Sequence, residues 1–426
     1  MAMWLLVLPA MLFARAGNIL GDLKKMPQVK EITKLEKRDT TRTYYLLKFQ
    51  QLVDPKNPAA GTFTQRVMLG HRGYDRPTVI VTEGYGGDYA FNNPGFAEEL
   101  STLLDANILF CEYRYFLEST PNPCNWDYLT VENATYDYHA IRQAFGKLYG
   151  GKWLSTGISK GGQTTIFYRT FFPQDVDISV PYVAPLNIGI EDGRHESFIE
   201  QIATSRERDA VRNFQILALE RKPLLLPRFI QYCKDKGYTF RIPVNEIYDF
   251  SVLEFSFAFW QWGMDIEGIP ASTATDEQVF DYFIKVLEPD YFSEQSPYLS
   301  FNVQTIKEMG YYGYNMEPFR KWMDIKTTEG YFRKIMLPEE LSHFPFDQTL
   351  YRKTVDFLTD NDVPMIFIYG QWDPWTATGA TWLQSRDKKQ MQVYVCPNGS
   401  HRSRINDMPA PVKEKIMNQL QEWLKK

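Results

Sequence analysis

Apolar and polar positions alternate over 43–50 and again over 62–69, with β-branched and aromatic side chains in both runs. Pro55, Pro58 and Gly61 lie between them, so the two runs predict an antiparallel pair of strands at a sheet edge. The next apolar run, Thr78–Thr82, does not alternate, as expected of a strand buried on both faces. It ends in the glycine-rich segment Glu83, Gly84, Tyr85, Gly86 and Gly87. Helical and strand spacing then take turns: helix over 96–104, strand over 107–113, helix over 131–148, strand over 152–156, helix over 161–172 and strand over 176–183. Such alternation builds a parallel sheet through right-handed crossovers, with helices on both faces.

Over 185–346 the pattern changes. Helical spacing dominates, aromatic residues are dense, and Pro223, Pro227, Pro270 and Pro297 break the runs. The earlier alternation returns with a helix over 351–360, a strand over 364–369, a helix over 377–387, a strand over 392–396 and a helix over 411–424. The chain therefore reads as an α/β protein: a doubly wound sheet domain in two parts, 17–184 and 347–426, interrupted by a mostly helical cap over 185–346.

Composition narrows the function classes. The chain is 44% hydrophobic and 15% aromatic, enough for a large core. A net charge of -5 excludes a nucleic-acid binder that works through a bulk positive field. The apolar run from Met3 to Phe13, followed by Ala14, Arg15 and Ala16, matches a secretory leader cut before Gly17, although no Lys or Arg precedes it. Residues 1–16 are thus expected to be removed on export. The run is too short for a bilayer, which takes about 20 apolar residues, and no membrane span is expected elsewhere. Among the four cysteines, Cys111 and Cys124 close a short loop and are the preferred disulfide of an exported protein, with buried free thiols as the competing reading.

The chemistry is carried by three loops. Gly157, Ile158, Ser159, Lys160 and Gly161 fit G-x-S-x-G between a predicted strand and a predicted helix, the context of the nucleophile elbow of the α/β-hydrolase fold. A serine hydroxyl needs a base within hydrogen-bond reach. Of the five histidines, His401 follows the last predicted strand, where this fold puts its base; His71, His139, His195 and His343 read as structural. Asp373 follows the penultimate strand and would orient the imidazole, giving the chain order Ser, Asp, His. The oxyanion donors are expected to be the backbone amides of Lys160 and Tyr85, with the Lys160 side chain peripheral. No spacing suggests a metal, nucleotide or flavin, so no cofactor is expected.

Together with Thr82 to Gly86, Glu112 to Phe116, Gly157 to Gly162, Trp372 to Pro374 and Gly399 to Arg402, these residues resemble the Streptomyces-type prolyl tri/tetrapeptidyl aminopeptidases. A more distant similarity is to the lysosomal Pro-X carboxypeptidase and dipeptidyl-peptidase family. The resemblance covers nearly the whole mature chain and implies a secreted serine exopeptidase that removes short peptides from a free N-terminus, often after proline. Its substrate's ammonium would need a carboxylate, for which Glu83 and Glu112 are candidates; either could instead partner Arg114 or loop amides. Phe255, Phe257, Phe259, Trp260 and Trp262 could line a proline pocket or belong to the core. Two alternatives stay open: a carboxyl esterase of the same fold, and a catalytically inactive binding protein on a hydrolase scaffold. Oligomeric state is not legible.

Overall fold

The computed structural model describes residues 17–426, and the leader expected over residues 1–16 lies outside them. Among the described residues one sheet has nine strands: β1 (Val29–Leu35), β2 (Thr43–Leu52), β3 (Thr62–His71), β4 (Thr78–Thr82), β5 (Asn107–Cys111), β6 (Trp153–Ile158), β7 (Ile178–Tyr182), β8 (Met365–Gly370) and β9 (Met391–Cys396). Their order is β1-β2-β3-β5-β4-β6-β7-β8-β9. The pairs β1/β2, β2/β3 and β3/β5 are antiparallel and all the others parallel. This is the doubly wound α/β-hydrolase arrangement expected from the pattern.

The core follows from the period of two along each strand. Val79 and Val81 face one side with Leu100, Leu104, Ile416, Leu420 and Trp423; Ile80 faces the other with Leu109, Tyr138 and Ile141. All five residues of β4 are buried, which explains its lack of alternation. Each such aliphatic side chain contributes roughly 1.5–3 kcal/mol on burial. Helices Val131–Phe145 and Lys160–Phe171 cover one face, and Glu99–Leu103 with Ala410–Lys425 the other.

Four details depart from the expectations. β1 was not foreseen, because Val29, Ile32 and Leu35 are half-buried three residues apart and a register shift between Val29 and Glu31 hides the strand period. The helix expected over 96–104 is only Glu99–Leu103, since the Glu98 carboxylate accepts from the amides of Leu100 (2.8 Å) and Ser101 (2.6 Å) and starts the helix there. The helix expected over 377–387 is instead two 3₁₀ segments, Pro374–Thr378 and Ala380–Ser385, separated by Gly379 in extended conformation. The Cys111–Cys124 disulfide is not formed: Cys111 is buried in β5, Cys124 is exposed, and all four cysteines are free thiols.

Between β7 and β8 the chain is helical, including Ser205–Glu220, Lys222–Lys236, Val244–Gln261 and Asp276–Val286. Reciprocal caps start two of these, Thr204 with Glu207 and Thr275 with Gln278. Val244–Gln261 is buried over most of its circumference, from Ile247 through Trp260, and forms the spine of this region. Phe255, Phe257, Phe259 and Trp260 belong to the core. Trp262, just past the helix and 43% exposed, does not.

Candidate active site

The reversal of strand order at β4 puts its C-terminal end beside that of β6, with Val81 paired to Thr156. Loops at such a switch point meet in a crevice. Here they are Glu83 to Gly87 and the turn into helix Lys160–Phe171. Ser159 sits in that turn at φ 58 and ψ -121, a region that L-residues occupy at a cost of about 1–3 kcal/mol. The turn needs its flanking glycines. A Cβ on Gly157 would fall 2.3 Å from the Gly161 carbonyl oxygen, and one on Gly161 would fall 2.8 Å from that of Thr82.

His401 lies in the loop after β9, and its Nδ1 is 2.7 Å from Asp373 Oδ2. Asp373 is fully buried, and its Oδ1 also accepts from the Trp375 amide at 3.2 Å. An acceptor fixed in this way holds the imidazole tautomer with Nε2 free to take a proton. Nε2 is buried and has no hydrogen-bond partner among the described residues. The backbone of His401 is held from the helical region, its N–H donating to the Gln261 carbonyl at 3.0 Å. Ser159 and His401 line the same cavity, of about 1260 Å³, between the sheet's strand ends and the helical region.

The other histidines are occupied elsewhere. His71 meets the Tyr149 hydroxyl at 2.9 Å, His139 meets Asp175 at 2.7 Å, and His343 stacks on Phe344. His195 is buried among Phe257, Tyr312 and Trp375, and burial pulls its pKa down to about 4.

The residues expected to bind the oxyanion both line the cavity. Lys160 opens its helix, so its amide is among those without an intrahelical acceptor. The Tyr85 ring packs edge-on to Phe116 and Tyr298 on the wall it shares with Ser159. The Lys160 side chain is not peripheral. It is buried beneath the Gly84 turn, with Nζ 3.2 Å from the centre of the Tyr113 ring.

The two carboxylates expected to bind an ammonium part company. Glu112 is fully buried, away from the cavity wall. Its oxygens accept from Arg66 Nε at 2.9 Å, Ser119 Oγ at 2.6 Å and the Gly87 amide at 2.8 Å. Its valences are filled, so the substrate role is withdrawn; the bland alternative holds, with Arg66 in place of Arg114, which pairs with Asp137. Glu83 does line the cavity, where it accepts from the Tyr89 hydroxyl at 2.8 Å, and burial pushes its carboxyl up to about 7.

A third carboxylate escaped the sequence reading. Glu254, on helix Val244–Gln261, lines the cavity and is 3% exposed. It accepts from Tyr312 Oη at 2.8 Å and Tyr314 Oη at 2.6 Å, and Tyr291 bridges Tyr311 and Tyr312 behind it. No cation pairs with it among the described residues, and burial raises its carboxyl to about 8. The signal available in sequence was a lone Glu inside an otherwise apolar helix, Val252 to Trp260.

The family model described as PS-10 peptidase S37 matches residues 14–425. The prolyl tri/tetrapeptidyl aminopeptidase of Streptomyces mobaraensis is 28% identical over 427 residues, covering 97% of this chain and 86% of that protein. The lysosomal Pro-X carboxypeptidase of Mus musculus is 28% identical over 161 residues, 34% of this chain and 33% of that one. Among solved structures, a proline iminopeptidase of Mycobacterium smegmatis covers 92% of this chain and 99% of its own at 13% identity, with a TM-score of 0.41.

Proposed function

The chain belongs to the peptidase S37 family and is a serine peptidase, and from that premise we propose that it is an exported exopeptidase releasing tri- or tetrapeptides from free N-termini after proline. The observation that carries this reading is the pair of buried carboxylates, Glu83 and Glu254, in the cavity that also holds Ser159 and His401. An ester or acyl substrate offers such carboxylates nothing. A peptide's α-ammonium offers each an ion pair that relieves the cost of ionising in a dry site. Export rests on the leader-like residues 1–16, and a helical cap over 185–346 would limit how much chain can precede the scissile bond.

In this mechanism Ser159 attacks the carbonyl carbon of the proline residue while His401 Nε2 takes its proton, and Asp373 stabilises the imidazolium. The amides of Lys160 and Tyr85 supply donors to the oxyanion. His401 then gives the proton to the leaving amine, and water attacks the acyl-enzyme in the reverse sense. Trp375 and Tyr311 form an aromatic wall of the cavity, suited to a proline ring, and the Trp375 indole N–H is buried without an acceptor, free to take a substrate carbonyl.

The test is hydrolysis of a tripeptidyl anilide ending in proline, with free and with acetylated N-terminus, by the wild type and by Ser159→Ala. Cleavage of the free amine alone, abolished in Ser159→Ala, supports the aminopeptidase. Turnover of a simple acyl ester with neither peptide cut replaces it with the esterase.

A further inference from the structure

The catalytic cavity is lined by the carboxylates Glu83, Glu254, Asp281, Glu288 and Asp290, and also by two arginines with no assigned use. These are Arg402 and Arg404, on the wall beside His401 and on the same loop. Neither guanidinium forms an ion pair among the described residues. Arg402 lies over the Trp262 ring at 5.6 Å, and that ring meets His401 edge-on at 6.1 Å, so the two form a ledge next to the base. Arg404 uses Nη1 to hold the carbonyls of His401 (3.2 Å) and Ser403 (2.8 Å), which leaves Nε and Nη2 without an acceptor.

The acids nearest Arg404 are already engaged. Glu99 accepts from the Tyr182 hydroxyl at 2.8 Å and from the amides of Ile405 (3.2 Å) and Asn406 (2.9 Å). Asp407 accepts from the Arg404 amide at 2.8 Å. Their charges reach Arg404, yet no carboxylate closes on its fork. Arg402 over Trp262 and Arg404 over the Tyr182 ring (5.6 Å) line the cavity with no carboxylate against either, and a planar carboxylate fits a guanidinium fork in a bidentate manner.

The chemistry fixes which part of a substrate lies there. His401 must deliver its proton to the leaving amine, so that amine rests against the imidazole, and the residue that follows the scissile bond starts out next to the loop that carries Arg402 and Arg404. We propose that Arg402 and Arg404 form a subsite for the C-terminal carboxylate of the leaving fragment, making short oligopeptides with both ends free the preferred substrates. This rests on the exopeptidase reading above and adds to it a second recognised terminus. A long polypeptide would forfeit the second contact.

The experiment compares Ala-Ala-Pro-Ala as free acid and as C-terminal amide, with the tripeptidyl anilide alongside, in the wild type, Arg402→Gln and Arg404→Lys. The wild type should cut the acid at least about tenfold more efficiently than the amide in kcat/KM, and the ratio should fall with added salt. Arg402→Gln should bring the acid down to the level of the amide, mainly through KM. Arg404→Lys keeps a charge but loses the fork and should narrow the ratio in part. Equal cleavage of acid and amide by a wild type that still cuts the anilide would overturn the subsite and leave the exopeptidase standing. An acid preference that survives in Arg402→Gln would also overturn it. A wild type inactive on all three overturns the exopeptidase reading itself.

Discussion

The ammonium of Lys160 donates to the carbonyl oxygen of Gly84 at 2.6 Å, so the residue after the nucleophile ties down the loop that follows β4. The contact is buried and tight: a Cβ on Gly84 would lie 2.7 Å from the Lys160 side chain. Burial drives the Lys160 pKa well down, opposed by the charges of Glu83 and Glu308. The elbow and the glycine-rich turn are thereby one unit.

Cutting that tie should loosen both loops. In Lys160→Met the Gly84 carbonyl loses its donor, and an unpaired buried acceptor costs about 1–3 kcal/mol. Urea denaturation should show that loss, and kcat on the tripeptidyl anilide should fall by about tenfold as the oxyanion donors lose alignment. Unchanged stability and kcat would mean the tie is idle.

The elbow itself stores strain. Ser159→Gly should be inactive and yet more stable than the wild type by about 1 kcal/mol, because glycine accepts φ 58 and ψ -121 without penalty. Thermal melting of the two proteins reads this directly. Asp373→Asn, in contrast, should fold normally and lose about 10⁴ in kcat through the wrong imidazole tautomer.

Glu112 and Glu83 should separate cleanly. Glu112→Gln breaks a buried pair with Arg66 and should cost on the order of 3–5 kcal/mol of stability. The folded fraction should keep its KM. Glu83→Gln should fold and raise KM for the free-amine substrate severalfold, with little change in kcat. A KM effect at Glu112 without a stability effect would reverse this assignment.

Glu254 makes stability depend on pH. Its carboxyl rises from the ordinary 4.5 to about 8 in the folded protein, so its contribution is full below pH 4.5 and is lost as pH climbs towards 8. Relative to Glu254→Gln, the wild type should lose on the order of a few kcal/mol across that window. Taking the difference between the two proteins removes the similar contribution of Glu83. A constant difference in melting temperature from pH 4.5 to 8 would show that the carboxyl is not held neutral.

What the sequence disclosed and what it hid divide along physical lines. Ser159, Asp373 and His401 stand in turns between elements of strong period, so their positions relative to the strands were legible one loop at a time. β4 announced itself because burial on both faces leaves an unbroken apolar run. β1 stayed hidden because half-burial and a register shift erase the period of two. Glu112 was misjudged and Glu254 missed for one reason: both are charges inside apolar stretches, and only packing decides whether a guanidinium or a cavity lies opposite. The Lys160 side chain, discounted for its neighbour's direction, turned inward beneath the turn.

The bond from His401 N–H to the Gln261 carbonyl has a mechanical meaning. The base belongs to the sheet domain by chain order, but its main chain is moored to the last turn of the helical spine. A change at the end of that helix, as at Gln261 or Trp262, is therefore felt at His401 through one main-chain bond, so the tuning of the base is shared between two stretches of chain far apart in sequence.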